Sequence, residues 1–308
     1  MSEVSAILVK KLRDTTGAGM MDCKRALTET SGNFEEAIDW LRKKGIAAAG
    51  KKAGRVAAEG LVAVAVNANK TVGVAIELNS ETDFVARNDK FQAMVSDIAK
   101  TALNTSSLEE LKEAKLSTGR SAQDEVTENI GVIGENLNLR RMAKISVTKG
   151  VVASYVHNNI ATDMGKIAVL VALESDIDQA ALQTLGKQLA MHIAASKPIA
   201  LNIDQVDSSA VDRERDIFSE QAKNSGKPQE IIDKMVEGRI KKFYQEVVFL
   251  EQAFVMDGKT RVQDVVDKFA ADNKGTVKVT GFVSFELGQG IETEEKDFAS
   301  EVAAMSGK

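Results

Sequence analysis

Gly60-Leu-Val-Ala-Val-Ala-Val-Asn67 and Gly150-Val-Val-Ala-Ser-Tyr-Val-His157 match position by position, and an internal repeat takes precedence over any local reading. Each copy continues through a turn into a second apolar strand, at 72–78 and at 166–173, and then into an amphipathic helix. Phe91, Met94, Val95, Ile98 and Ala102 stripe the first helix, and Leu182, Leu185, Leu189 and Ile193 stripe the second, at the spacing of a core-facing helix. Sequential strands joined by hairpin turns pair antiparallel. The expected fold class is therefore α+β: two duplicated subdomains, each an antiparallel sheet with helices on one face.

Ahead of the first copy, residues 4–45 read as three short helices. Val4, Ile7, Leu8 and Leu12 share one face, and Phe34, Ala37, Ile38 and Leu41 repeat at helical spacing. Asn33 followed by Glu36 is a capping-box-like start, and Gly45 sits where a helix C-cap wants positive φ. Residues 47–55 then read as a partly helical, flexible tether, whose cations Lys51, Lys52 and Arg55 follow Lys44. Between 207 and 250 charged, helix-forming sequence is broken by Asn224-Ser225-Gly226-Lys227-Pro228, the signature of a helical hairpin with a tight turn. Strands are expected to resume at 246–256 and 276–286, and a terminal helix carries Phe298, Val302 and Met305 on one side. The expected divisions are 1–55, 56–145, 146–206 with 246–290, the inserted hairpin 207–245, and the terminal segment 291–308. Residues 108–129 and 257–277 carry no decisive pattern.

The chain has 308 residues, of which 44% are hydrophobic and 28% charged, enough for more than one core. A net charge of −5 gives the whole molecule no basic field to draw it onto nucleic acid or an anionic membrane, so a protein partner is expected. No apolar run approaches the roughly 20 residues of a membrane span, and residues 1–14 do not form a secretory signal. With the single Cys23, which has no internal disulfide partner, this suggests a cytoplasmic protein.

Chemistry-bearing patterns are sparse. Two histidines and one cysteine leave no zinc or transition-metal spacing and no nucleophile motif, so neither a metal nor a cofactor is expected and catalysis is not anticipated. His192, on the second amphipathic helix, reads as a satisfied core-edge histidine; His157 ends a strand and stays open between packing and contact. Ala253-Phe-Val-Met-Asp-Gly258-Lys259-Thr260 imitates a phosphate loop, but its first glycine is missing and Asp257 would place a carboxylate in the anion cradle. Gly17-Ala18-Gly19 follows a helix rather than a strand, which fails the dinucleotide context. Met20 and Met21 suit either a core turn or an adaptable interface. The cations between Arg42 and Arg55 admit an alternative function, a ribosome- or RNA-associated protein acting through the basic tether, although no aromatics interleave them.

The stretch Asn79-Ser-Glu-Thr-Asp-Phe-Val-Ala-Arg-Asn88 places Asp83 and Phe84 on a loop just past an apolar strand. Phe84 either tucks back into its own core or is offered to a partner; residue type alone favours tucking. Ser80, Thr82 or Asp83 could equally cap a helix turn.

Taken together with Thr16-Gly-Ala-Gly-Met-Met-Asp-Cys-Lys-Arg-Ala-Leu27, Ala57-Ala-Glu-Gly60, Ile133-Gly-Glu-Asn136, Ala190-Met-His-Ile-Ala-Ala-Ser-Lys-Pro198 and Gly226-Lys-Pro228, that loop closely resembles the translation elongation factor Ts family, over nearly the whole chain. The resemblance implies a ubiquitin-associated-type (UBA-like) three-helix module at the N-terminus, and a coiled-coil hairpin as in the family's long, bacterial-type members. It implies guanine nucleotide exchange on elongation factor Tu, bound in its GDP form and when nucleotide-free, by a factor that binds no nucleotide itself. Thr82, Asp83, Phe84 and Val85 match the family's loop that disturbs the partner's magnesium site. Arg13, Met20 and Met21 are implied to meet the partner's GTPase domain and His157 its distal β-domain, with Ile133, Gly134, Glu135 and Asn136 as a further contact turn.

Overall fold

The computed structural model describes residues 4–16, 18–223 and 228–292. Gly17, the tip of the hairpin turn and the expected terminal helix past 292 lie outside the described residues.

Three helices open the chain: α1 (Ala6–Thr16), α2 (Met20–Glu29) and α3 (Phe34–Lys52). They close around Val9, Leu12, Cys23, Ala26, Leu27 and Ala37, with Trp40 packed against this small core. The Asn33 side chain caps α3, accepting from the Glu36 N–H and donating to the Glu36 carboxylate. Gly45, however, does not end α3. The helix runs without interruption to Lys52, so the expected flexible tether is instead a rigid arm. It continues because tertiary packing supplies what propensity does not: α3 lies against α6 (Ala122–Ile133, introduced below), with Gly45 facing Gly131. Several cations of the arm are already engaged, Lys44 with Asp22 and over the Trp40 ring, Arg42 with Asp124, and Arg55 with Glu81.

The duplicated body begins with β1 (Glu59–Val66) and β2 (Val72–Ser80), followed by α4 (Asp89–Ala102), α5 (Leu108–Glu113), α6 and β3 (Asn138–Ser146). The second copy comprises β4 (Gly150–His157), β5 (Met164–Gly165), β6 (Ile167–Ser175) and α7 (Gln179–Ser196). The hairpin follows as α8 (Ser208–Lys223) and α9 (Gln229–Val247), then α10 (Val262–Asp272) and β7 (Val277–Glu286). Strand order is β3-β2-β1-β5 in one sheet and β4-β6-β7 in the other, all antiparallel. The two-residue β5 thus crosses from the second copy to edge the first sheet.

The repeat holds at the level of register. Gly60 faces Asn79 and Leu61 faces Leu78; Gly150 faces Glu174 and Val151 faces Leu173. Both glycines have positive φ, +115° and +131°, and a β-carbon at either would fall 2.3 Å and 2.0 Å from the carbonyl oxygens of Leu78 and Leu173. Only glycine fits these two joints. The irregularity in the outer ladder recurs too, between Glu77 and Leu78 in one copy and between Ala172 and Leu173 in the other.

Helices cover one face of each sheet, α4 and α6 on the first and α7 and α10 on the second. The opposite faces meet each other through Val62, Val64, Ala75, Val152, Leu170 and Phe285, which explains why β2 and β6 are apolar on both sides. One buried exception is Glu77, fully enclosed, which receives Arg140, Arg141 and the Gly288 N–H and so ties the first sheet to the end of β7. No strand forms at 246–256. That segment finishes α9 and makes a single 3-10 turn, Phe249–Glu251, which buries Phe249 beside His192; the Gln252 amide donates to the Glu246 carbonyl at 2.7 Å, holding the chain in a turn. Among the described residues no helix is long and apolar enough to cross a membrane.

Candidate functional site

The loop 81–88 is built between two rigid ends. At its start, Ser80 donates to the Thr82 carbonyl at 2.9 Å, directly after β2, whose Asn79 is buried and donates to the Glu59 carbonyl and the Glu77 carboxylate. At its end, the Asn88 side chain accepts from the N–H groups of Lys90 and Phe91, starting α4, and Gln92 donates to the Ala86 carbonyl.

Between those ends the chain alternates between anchored and displayed residues. Val85 and Ala86 are buried in the first subdomain's core. Phe84 stands 78% exposed, against the expectation from residue type that it would tuck inward. Asp83 beside it is exposed as well. The turn that follows, Val85–Arg87, pins the chain so that Phe84 cannot fold back without unseating Val85. Val85, expected as part of the contact loop, is therefore its anchor.

The turn at 133–136 lies against this loop. Thr82 donates through both its N–H and its hydroxyl to the two carboxylate oxygens of Glu135, at 2.9 and 2.6 Å. In the reverse direction the Asn136 N–H donates to Glu81 at 2.6 Å, and the buried Asn136 amide donates to the Arg55 carbonyl at 2.8 Å. Gly134 makes this possible by ending α6 in the left-handed region, φ +89°. Two sequence-expected sites are thus one structure, with Glu135 and Asn136 turned inward onto the loop.

The remaining candidates lie elsewhere. Arg13 lies in the last turn of α1, and Met20 and Met21 begin α2, exposed by 53% and 70%. Neither methionine fills the helical core, although both occupy the corner where filler was a possibility. His157 is exposed at the end of β4, its Nδ1 2.9 Å from the Tyr155 hydroxyl. His192 is fully buried: its Nδ1 accepts from the Val255 N–H at 3.1 Å and its Nε2 lies 2.9 Å from Gln252 Oε1. Burial pushes its pKa down despite that bond.

The phosphate-loop imitation resolves into a closed turn. Asp257 accepts from the N–H groups of Lys259 and Thr260 and from the Thr260 hydroxyl, which draws its pKa down to about 2. The donors that an anion would need already serve this carboxylate. Among the described residues no group of three or more His, Cys, Asp or Glu could hold a metal ion. Arg55, Glu81 and Asn88, which fix the loop, were not anticipated; only Asn88, three residues ahead of an apolar helical stripe that begins at Phe91, carried a local signal, that of an N-cap.

Fold and site together define a double-lobed α+β protein that displays an aromatic tip on a braced loop. The model of the family described as "Elongation factor TS" matches residues 81–289. Proteins named elongation factor Ts are similar to it over their full length: that of Rhodospirillum centenum at 56% identity, covering 100% of both chains, and that of Rickettsia bellii at 54%, covering 99% of both. The counterpart in Maricaulis maris is 53% identical over 313 aligned positions. The chain belongs to the elongation factor Ts family.

Proposed function

We propose that the protein is a guanine nucleotide exchange factor for elongation factor Tu, and that the Asp83–Phe84 tip is the element that loosens GDP. Membership in the family supports the exchange role in translation elongation. The observation that carries the loop reading is the exposure of Phe84 on a segment held at both ends. Exposure alone is ordinary for a single apolar residue; what favours a partner's pocket here is that the ring is held outward on a braced loop. Burying it there contributes about 2 kcal/mol and wedges apart what it enters. Asp83 brings a carboxylate toward a site that holds phosphate through magnesium. Competition for that ion weakens the attraction that retains the nucleotide.

In this reading Arg13, Met20 and Met21 form a second contact on the partner's GTPase domain, His157 a third on its distal β-domain, and Ile133 and Gly134 border the loop. The hairpin of α8 and α9 packs around its own apolar cluster of Val211, Ile232, Val236 and Ile240. The basic-arm alternative has less to stand on, since Arg42, Lys44 and Arg55 are engaged within the chain.

Release of a fluorescent GDP from purified elongation factor Tu tests the proposal. The native chain is expected to accelerate release, and Phe84→Ala and Asp83→Ala to be impaired while folded. A native chain without effect would refute the exchange role; fully active variants would refute the role of the tip alone.

A further inference from the structure

We infer that Glu135 is a positioning residue for exchange: it holds the Asp83–Phe84 tip in its projecting geometry in the free protein, and through α6 it fixes that tip relative to the helical module. This inference rests on the exchange reading above for its functional half only.

The geometry is a two-way clasp. Thr82 donates twice to Glu135, while the Asn136 N–H, one residue further on, donates back to Glu81. Such a bidentate, charge-assisted arrangement fixes orientation as well as distance. The segments it joins are 53 and 55 residues apart in the chain, so nothing local would otherwise set their relation. Arg55 closes the third side, its carbonyl taking the Asn136 amide and its guanidinium lying 3.5 Å from Glu81.

The same helix carries the other half of the argument. Glu135 lies just past the C-cap of α6, and Gly131, in its last turn, is where the arm α3 rests. One rigid element therefore sets both the tip and the module bearing Arg13, Met20 and Met21. Two contact surfaces held at a fixed separation engage a partner with less loss of freedom than two that must be ordered on binding. Glu135 is only partly exposed and both of its carboxylate oxygens face Thr82, which suits bracing better than direct recognition.

The test is a double-mutant cycle in the GDP-release assay, with the full chain and purified elongation factor Tu. Glu135→Ala is expected to lower kcat/KM about tenfold, whereas Glu135→Gln, whose Oε1 still accepts from the Thr82 N–H and whose amide can donate to the hydroxyl, stays close to the native value. In the Phe84→Ala background, Glu135→Ala should change little further, because its effect passes through the tip. Losses that multiply independently, or an unimpaired Glu135→Ala, would overturn the inference. Amide hydrogen exchange at Thr82 reads the brace without any partner: protection should fall in Glu135→Ala with global stability retained, and unchanged protection refutes the brace. If the native chain releases no GDP, the exchange reading fails while this measurement still decides the clasp. Should Glu135→Ala not fold, Thr82→Val removes the hydroxyl donor from the other side and is expected to show the same non-additivity at about threefold.

Discussion

The Cα of Gly45 lies 2.9 Å from where a β-carbon on Gly131 would stand, so α3 and α6 meet backbone to backbone. The crossing depends on the absence of a side chain at Gly131; a β-carbon on Gly45 would meet nothing within 4 Å. The arm that carries the N-terminal module is seated on the first subdomain at this point.

Gly131→Ala should therefore loosen the module. The overpacking cost of about 1–3 kcal/mol exceeds the gain of about 1 kcal/mol from replacing a helical glycine. Gly50, in the same arm but with open space around it, is the control: Gly50→Ala should raise stability by about 0.5–1 kcal/mol. Thermal unfolding together with limited proteolysis of residues 46–56 separates the two outcomes.

Neighbouring residues in the loop should behave in opposite ways. Phe84→Ala is expected to change folding stability by less than about 0.5 kcal/mol while abolishing most of the accelerated GDP release. Val85→Ala should cost about 2 kcal/mol through lost burial and a cavity. Urea unfolding curves beside release rates give both readouts; a Phe84→Ala variant that unfolds readily would mean the side chain packs inward.

Acid should act through Glu77. Burial pushes its pKa up, but the Gly288 N–H, Asn79 and Arg141 more than offset this and hold it below the usual range. A folded pKa below the unfolded one means stability that is present above about pH 4.5 and is lost as pH falls through the folded value. Glu77→Ala should cost about 3 kcal/mol at neutral pH by stranding two partly buried arginines, and should flatten this acid limb. Unfolding free energies from pH 3 to 7 for the two proteins decide it.

His192 sets a second limb. Its pKa is lowered on folding, so the unfolded chain takes up the proton first as pH falls below about 6.5. Stability contributed by the neutral ring is full above that pH and declines beneath it. His192→Phe should lose this slope and cost about 2 kcal/mol, because the Val255 N–H and Gln252 lose their partner. An unchanged slope between pH 5 and 6.5 would assign it to another group.

Coupling between ligands is reciprocal. If the protein weakens GDP on elongation factor Tu, added GDP must weaken the protein's own hold by the same factor, and the complex is tightest without nucleotide. A pull-down that strengthens with GDP contradicts the exchange role.

Much of the frame was legible beforehand, for physical reasons. The duplicated strands and the stripes of α4 and α7 are long, periodic and buried, and burial is what periodicity reports. Asn33 announced its helix through a local bond. The errors share the opposite character. Gly45 resembled a stop, but the helix is carried past it by contact with another helix, at Gly131. The run 246–256 resembled a strand because an apolar segment turning into a core has the composition of one. α5 is a short charged element with too few apolar positions to show a period, whereas α6 (Ala122, Val126, Ile130) and α10 (Val262, Val265, Val266, Phe269) do carry helical stripes that were not anticipated. At the site, Asp83 and Phe84 stood out, but their exposure did not, since the clasp that enforces it joins Thr82 to a residue 53 positions away.

Besides the hairpin inserted in the second copy, the two copies differ in the connection from sheet to helix. From the end of β2 to the start of α4 the chain takes eight residues, 81–88; from the end of β6 to the start of α7 it takes three, 176–178. Joints such as Gly60 and Gly150 are common to both halves, whereas the displayed tip belongs to the longer connection alone. The architecture thus separates inheritance from specialisation: one half shows the shortest route that keeps the sheet and helix together, and the other carries surplus chain on which new reach could be tried without risk to either sheet.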